Sequence, residues 1–269
     1  MESGFVRNGA YGKCRFSPYR WEEIAILNVT YAEMSQKGDR SINEEYVLSF
    51  SEARSKSSVF VLCDGLGGHE KGDEASKLVA NNIHKYYTEG QPSMEEAILY
   101  AQNKLLVFQD RQKMQEAMRT TVVCLELSKD MAIAKFGHVG DSRIYLFQKN
   151  KYKLRSIDHS VPQMLALRGA IRDKDIRYHE DRSKLLRVMG SRWEHPCYQI
   201  SEEIQIDRKS TFLLCSDGFW ELIDEKQMST TLKKAKTPEE WLLSMEKIIL
   251  SNGQGKNMDN YSAIAVFIR

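Results

Sequence analysis

The 269-residue chain lacks the features that would place it in a membrane or outside the cell. No apolar run approaches the roughly 18–20 residues that a spanning helix needs. The opening stretch, MESGFVRNGAYGKCRFSPYR, has no apolar signal core. An excess of one charge is missing too. The 39 Lys and Arg against 37 Asp and Glu leave a net charge of +2, which gives no argument for nucleic acid or a membrane surface as partner. Cysteine is sparse: Cys14, Cys63, Cys124, Cys197 and Cys215 are odd in number, widely spaced and contain no C-x-x-C, which argues against a disulfide framework and a zinc site. The expectation is a reduced, soluble, cytoplasmic protein, and nothing in the composition calls for more than a monomer. Apolar residues, by contrast, make up 42% of the chain, enough to build a substantial core.

Residues 1–22 are rich in Gly, Arg and aromatic residues and have no period, so they read as an irregular extension. Residues 23–269 read as one domain, since no linker divides them and no repeat is found. IAILNVTYAEM (24–34), EYVLSFSEA (45–53) and SSVFVLCD (57–64) predict strands, the last apolar enough to be buried on both faces. Helical spacing of Ala75, Leu78, Val79, Asn82 and Ile83 predicts a helix over 73–88. A second is predicted over 93–117, opened by a Ser93/Glu96 capping box. TTVVCLELS (120–128), MAIAKFGHVGD (131–141) and SRIYLFQKNKYKLRS (142–156) read as antiparallel strands with turns near Lys129-Asp130 and Lys149-Asn150. A short helix is expected over 161–171. The arginine-bearing stretch 172–197 has no assignable pattern. An apolar strand ending in Asp-Gly lies within 211–223, a helix at 238–253 and a final strand at 262–269. Strands in consecutive groups with helices clustered between them predict an α+β sandwich and not a parallel βαβ fold.

The acidic residues that draw attention share one setting. Asp64 ends the run VFVLC and precedes Gly65; Asp141 follows AKFGHVG; Asp217 follows FLLCS and precedes Gly218; Asp259 precedes the last strand; and Glu44 and Glu45 open a strand. If these strand ends gather at one edge, they form a cluster of like charge that needs cations. Hard divalent cations with oxygen ligands, Mg2+ or Mn2+, fit such a set best. Asp64 is then able to bridge two ions, with the Gly65 carbonyl as a further ligand, while Gly67 and Gly68 let the chain turn sharply. Two ions on the order of 3.5–4 Å apart would activate a bridging water for attack on phosphorus. Arg40 is the matching donor for phosphate oxygens.

These motifs, taken in order, resemble the metal-dependent protein serine/threonine phosphatases of type 2C in their compact bacterial form. GDRSINEE (38–45) is similar to G-x-R-x-x-N-E-D, and VLCDGLGGHEKGDEAS (61–76) to V-x-D-G-M-G-G-H-x-x-G-E-x-A-S. GHVGDSRIYLF (137–147), IDHSVPQMLALRGAI (157–171), LLCSDGFWELI (213–223) and MDNYSAIAV (258–266) follow in the family's order. The resemblance implies a four-layer α-β-β-α architecture and two core metals, with Asp64 bridging them and Asp217 and Asp259 holding one. Asp141 would help to hold a third, weaker ion. Glu44 and Glu45 would bind metal-coordinated waters or a metal directly, and Arg40 the substrate phosphate. It further implies hydrolysis of phosphoserine and phosphothreonine in proteins by direct attack of the bridging water. Phosphorylated proteins, a serine/threonine kinase among them, would be the partners. Residues 161–195 would form a flap that tunes substrate access.

Three positions depart from the family pattern. Glu45 stands in place of Asp, its extra methylene carrying the carboxylate outward, with the expectation of a weakened metal or an altered water shell. Arg119, in MRTT (118–121), stands where the family has glycine. Leu66 stands where animal members carry a histidine proposed as general acid, which leaves protonation of the leaving group to a metal-bound water or another residue; His69 lies away from the chemistry. Glu45 and Arg119 also support a second reading, a catalytically weak or silent relative acting as a regulatory binding module.

Overall fold

The strand SSVFVLCD sends alternate side chains into two different cores. In the computed structural model, which describes residues 28–52, 57–66, 71–89, 93–128 and 132–269, Val59, Val61 and Cys63 pack with helices while Phe60 and Leu62 face the opposite sheet. A strand with period-two geometry must read as continuously apolar when both of its faces are covered. The predicted extension 1–22, residues 24–27 of the first predicted strand, Cys14, Ala53, Gly67, Gly68, His69 and the Lys129-Asp130 turn lie outside the described residues.

The strands are β1 (Val29–Gln36), β2 (Glu45–Glu52), β3 (Ser57–Asp64), β4 (Val122–Ser128), β5 (Ile133–Val139), β6 (Arg143–Gln148), β7 (Lys151–Arg155), β8 (Gln199–Ile200), β9 (Ile204–Gln205), β10 (Ser210–Cys215) and β11 (Tyr261–Ile268). They form two sheets, ordered β1-β11-β10-β6-β7 and β2-β3-β4-β5-β8, with β9 also beside β5. Every pairing is antiparallel. Between the sheets lie Phe60, Leu62, Leu125, Leu146, Phe212, Leu214, Ile264 and Val266.

The outer face of the second sheet is covered by α1 (Gly72–Glu89) and α2 (Met94–Gln112) through Ala75, Val79, Ile83, Ile98 and Leu105. The outer face of the first is covered by α4 (Asp217–Trp220), α5 (Glu225–Leu232) and α6 (Pro238–Gly253), with Trp241 in edge contact with Phe147. The short helix α3 (Val161–Leu167) lies outside these layers. The layers are therefore α-β-β-α, the architecture that the family resemblance implies.

Several boundaries differ from the sequence reading, each for a local reason. The second helix stops at Gln112, not 117, because Lys113 is left-handed at φ 57° and its N–H turns back to the Asp110 and Gln109 carbonyls. Ser93 caps that helix by accepting from the Glu96 N–H, but the Glu96 carboxylate takes the Tyr86 hydroxyl, so only half of the capping box forms. The helix over 161–171 ends at Leu167, and Gly169 adopts φ 74° just after it. The Lys149-Asn150 turn is present, with both residues left-handed (φ 51° and 60°), the geometry of a two-residue hairpin.

The stretch 172–197 contains only a 3-10 turn, Asp173–Tyr178, and is held by side-chain bonds and by isolated backbone bridges at Leu185 and Met189 in place of a regular strand. Arg177, one of the arginines of this stretch, is buried. It donates to the Trp220 and Ile223 carbonyls at 2.6 Å and to Glu225 at 2.8 Å.

Trp241 carries much of the outer core. It is fully buried, and its indole N–H donates to the Met228 carbonyl and the Thr231 hydroxyl. Trp241→Ala is expected to lower unfolding stability by about 3–5 kcal/mol, read from urea denaturation followed by fluorescence of the remaining tryptophans.

Candidate active site

Antiparallel pairing brings the acidic strand ends to one place. Glu45, the first residue of β2, is in register with Asp64, the last of β3. Asp217 follows the end of β10, and Asp259 precedes the start of β11, the neighbouring strand. One carboxylate oxygen from each of Glu45, Asp64 and Asp217 lies within 4.8 Å of the others. Above them opens a cleft of about 430 Å3 lined by Arg40, Glu44, Asp64, Gly65, Asp141, Asp217 and Asp259, with Leu66, Arg119, Asn260 and the flap residues Ser183, Leu185 and Val188 completing the wall. The structure thus gathers every acidic residue singled out from the sequence, together with Arg40 and Gly65. Glu45 is the one that lies beneath the cleft surface.

Glu45 does not project outward as its extra methylene suggested. It is buried, and neither carboxylate oxygen has a hydrogen-bond partner. A buried carboxylate without a well-formed hydrogen bond is strongly disfavoured as an anion. Burial, reinforced by the charges of Asp217 and Asp259 and only partly offset by the Ser262 and Ser216 hydroxyls, pushes the Glu45 carboxyl up to about 8. Burial and the Asp259 charge push Asp217 up to about 6. Asp64 and Asp141 are also held well above the ordinary carboxylate range, first by burial and then by the Asp217 charge. Such a set asks for cations. Oxygen donors with no cysteine or histidine among them fit hard divalent ions, and the Glu45 oxygens are free of any well-formed hydrogen bond that would compete for them.

The backbone around these groups is packed too closely for side chains. A Cβ on Gly218 would stand 2.0 Å from the Asn260 carbonyl oxygen, so the Asp217 and Asp259 loops touch there. On Gly65 it would meet the Gly72 carbonyl at 2.3 Å. Glycine is needed at both positions by close approach.

Asn260 was missed by the sequence reading. Its buried amide donates to the Lys37 and Ile42 carbonyls at 2.7 and 3.0 Å and accepts from the Glu44 N–H at 2.9 Å. These bonds fix the loop that carries Arg40 and Glu44. Arg40 donates to Asp259 at 2.6 Å.

The Asp141 turn is fixed equally firmly. Trp220 donates its indole N–H to the Asp141 carbonyl at 3.0 Å, and the Arg143 guanidinium stacks 3.4 Å over the Trp220 ring while pairing bidentately with Asp158. Trp220 and Tyr46, neighbours in sequence of Asp217 and Glu45, are packing residues. An Asn or a Trp beside an acidic motif carries no pattern that announces such bonds.

Comparison with known proteins agrees with this geometry. The family model described as Protein phosphatase 2C matches residues 41–247. The chain belongs to the protein phosphatase 2C family. It is 25% identical to the serine/threonine phosphatase stp of Listeria innocua over 205 residues, 70% of this chain and 77% of that protein. It shares its fold with a bacterial serine phosphatase of known structure (TM-score 0.79, 23% identity, 89% of this chain and 97% of that one). The fold is also that of the catalytic domain of the phosphatase PstP in complex with two manganese ions (TM-score 0.73, 21% identity, 90% and 99% coverage). This 2C-type chain is a metal-dependent protein serine/threonine phosphatase, with Mn2+ or Mg2+ as cofactor and phosphoproteins as substrates.

The raised carboxyls give the metal-free protein a defined pH response. A carboxyl whose folded pKa is raised contributes stability that is fully present below its unfolded value and lost as pH rises through the folded one. For Glu45 that window runs from 4.5 to about 8, and for Asp217 from 3.8 to about 6. The metal-free melting temperature should therefore fall between pH 5 and 8, Mn2+ should flatten that slope, and Glu45→Gln should raise the metal-free melting temperature at pH 8. Differential scanning fluorimetry with EDTA or Mn2+ measures all three.

Proposed function

We propose that the cleft hydrolyses phosphoserine and phosphothreonine in proteins at a centre whose two ions would be held by Asp64, shared between them, the Gly65 carbonyl, Asp217 and Asp259. Asp141 would share a third ion with Asp217. The observation that carries this reading is the buried, unpartnered Glu45 carboxylate set against Asp64 and Asp217 beneath a cleft edged by Arg40. Its burial favours direct contact with an ion over contact through water. Glu44 is more remote from that group. Its carboxyl is raised by burial and by Asp73 and lowered by a bond from the Gly72 N–H, which suits a contact with coordinated water. When bound, the cations supply a water activated for direct displacement at phosphorus.

The protein's own part is to position and to neutralise. Arg40, held by Asp259 in the absence of other partners, is half exposed and so placed to exchange that carboxylate for phosphate oxygens. Binding of cations would convert the protonated carboxyls to ligands and release protons. Leu66 offers no proton, so the leaving oxygen must draw one from water or from another residue in the cleft.

Residues 23–269 would act as one catalytic domain, a reading supported by the joint contribution of both sheets to the carboxylate group. Among the described residues no helix is long and apolar enough to cross a membrane, which is compatible with a cytoplasmic monomer. Serine/threonine kinases fall within the proposed class of phosphoprotein substrates. A silent binding module is less consistent with a site that retains all of its carboxylates and its arginine.

The test is turnover of a phosphothreonine peptide with Mn2+, Mg2+ or EDTA. Activity should need the ion and vanish in Asp64→Asn. Arg40→Ala should lower kcat/KM by about 10- to 100-fold, the loss of one to two charge-assisted bonds to phosphate. Tight Mn2+ binding by calorimetry without turnover would instead favour the binding module.

A further inference from the structure

We propose that Arg119 is a specificity-determining residue that docks an acidic side chain flanking the phosphoresidue of the substrate. This rests on the reading of the cleft as the place where the phosphoresidue enters. Arg40 and Arg119 are the cations that line that cleft. They belong to different walls: Arg40 is tied to Asp259 before β11, whereas Arg119 lies just before β4, next to the segment that follows β3.

The backbone of Arg119 is pinned on both sides. Its carbonyl accepts the Leu66 N–H at 3.0 Å. The next residue, Thr120, bridges to Gly65 and to Met189 of the flap, and its hydroxyl donates to the Asp64 carbonyl at 2.9 Å. The preceding residue, Met118, is buried and left-handed at φ 55°. Arg119 is thereby set at the junction of three parts: the loop of Asp64, the flap wall of Leu185 and Val188, and the open cleft. A peptide that delivers its phosphoresidue to Asp64 must pass its neighbouring residues along this junction.

The structure also shows what the guanidinium takes. Arg119 Nη2 donates to Glu116 Oε2 at 2.8 Å, and the Glu116 side chain is 92% exposed whereas that of Arg119 is 24% exposed. An exposed carboxylate three residues away gains little from such a pair, since water and salt screen it. It can be displaced at low cost by a carboxylate that arrives with other contacts. The largely covered arginine loses less freedom on binding than a solvated one, because its backbone is already fixed. Glu116 thus stands in for the substrate's acidic residue. The cleft's own carboxylates would otherwise repel an acidic peptide, and Arg119 offsets that repulsion on the flap side.

The experiment uses the full chain with Mn2+ and two phosphothreonine peptides that differ only in Glu or Gln at the positions flanking the phosphoresidue. The readout is the ratio of kcat/KM, acidic over neutral. The wild type is expected to favour the acidic peptide by about five- to tenfold, the scale of one partly desolvated ion pair. In Arg119→Gln the ratio should fall to near one, with the change in KM. Arg119→Lys should restore part of it, and Glu116→Gln should raise it by removing the competitor. A ratio unaltered in Arg119→Gln overturns the inference, and this includes the case in which both peptides slow together, as they would if Arg119 served the scissile phosphate or the fold. A wild-type ratio at or below one overturns it too. Failure of the wild type to hydrolyse even the neutral peptide would instead strike the functional reading, and this inference with it.

Discussion

The desolvation and mutual repulsion of carboxylates crowded at one rim are the constraint around which this protein is arranged. Glu45, Asp64, Asp141 and Asp217 are each pushed toward the protonated state by burial and by one another. The fold relieves them only in part: the Gly218 N–H donates to Asp217, the Ser216 and Ser262 hydroxyls act weakly on Glu45, Arg40 stands at the edge of the group, and no lysine among the described residues lines the cleft. A chain that builds such a site accepts a local destabilisation that only protons or cations remove. Antiparallel register makes the clustering unavoidable, because the start of β2, the ends of β3 and β10 and the approach to β11 share one rim.

Much of the surrounding polar structure can be understood as the means of holding that rim against its own charge. Asn260 ties three backbone groups of the Arg40 loop to the approach of β11. Trp220, Arg143 and Asp158 do the same for Asp141. Arg155 extends this second network to Gln163 and Asp173, and Arg177 and Arg182 tie the flap to the segment after Asp217. Buried ion pairs of this kind add little net stability, since desolvation offsets most of their attraction. Their effect is positional: each sets a loop whose backbone belongs to no sheet.

What could be read from the sequence follows from this division. Asp64 and Asp217 were legible because an apolar strand broken by Asp-Gly leaves few other places for the carboxylate. The two sheets were legible through strands apolar at both parities. The inward course of Glu45 was not, because a methylene added to a side chain predicts reach without direction, and direction came from its register with Asp64. Asn260 reads as a turn former until its three partners are seen. The flap was opaque since its order comes from buried guanidinium bonds, which have no period. The four-residue α4 and the two-residue β8 and β9 are shorter than any pattern can reveal. Asp217 and Gly218, which as a dipeptide suggest a turn, in fact open a helix.

The two departures from the family pattern act in different physical surroundings. Glu45 lies where water is excluded, so its added length is felt by the ion and by the other carboxylates at short range, where electrostatic effects are large. Arg119 lies at the rim, partly solvated and paired with an exposed acid, where a single contact is worth little unless a substrate brings others with it. The first bears on whether the site is charged and occupied, the second on which peptide reaches it. They share no direct contact, since Asp64, Gly65 and the chain segment carrying Thr120 stand between them. Each can therefore change without undoing the other, which is the condition for one fold to keep its chemistry while its choice of substrate varies.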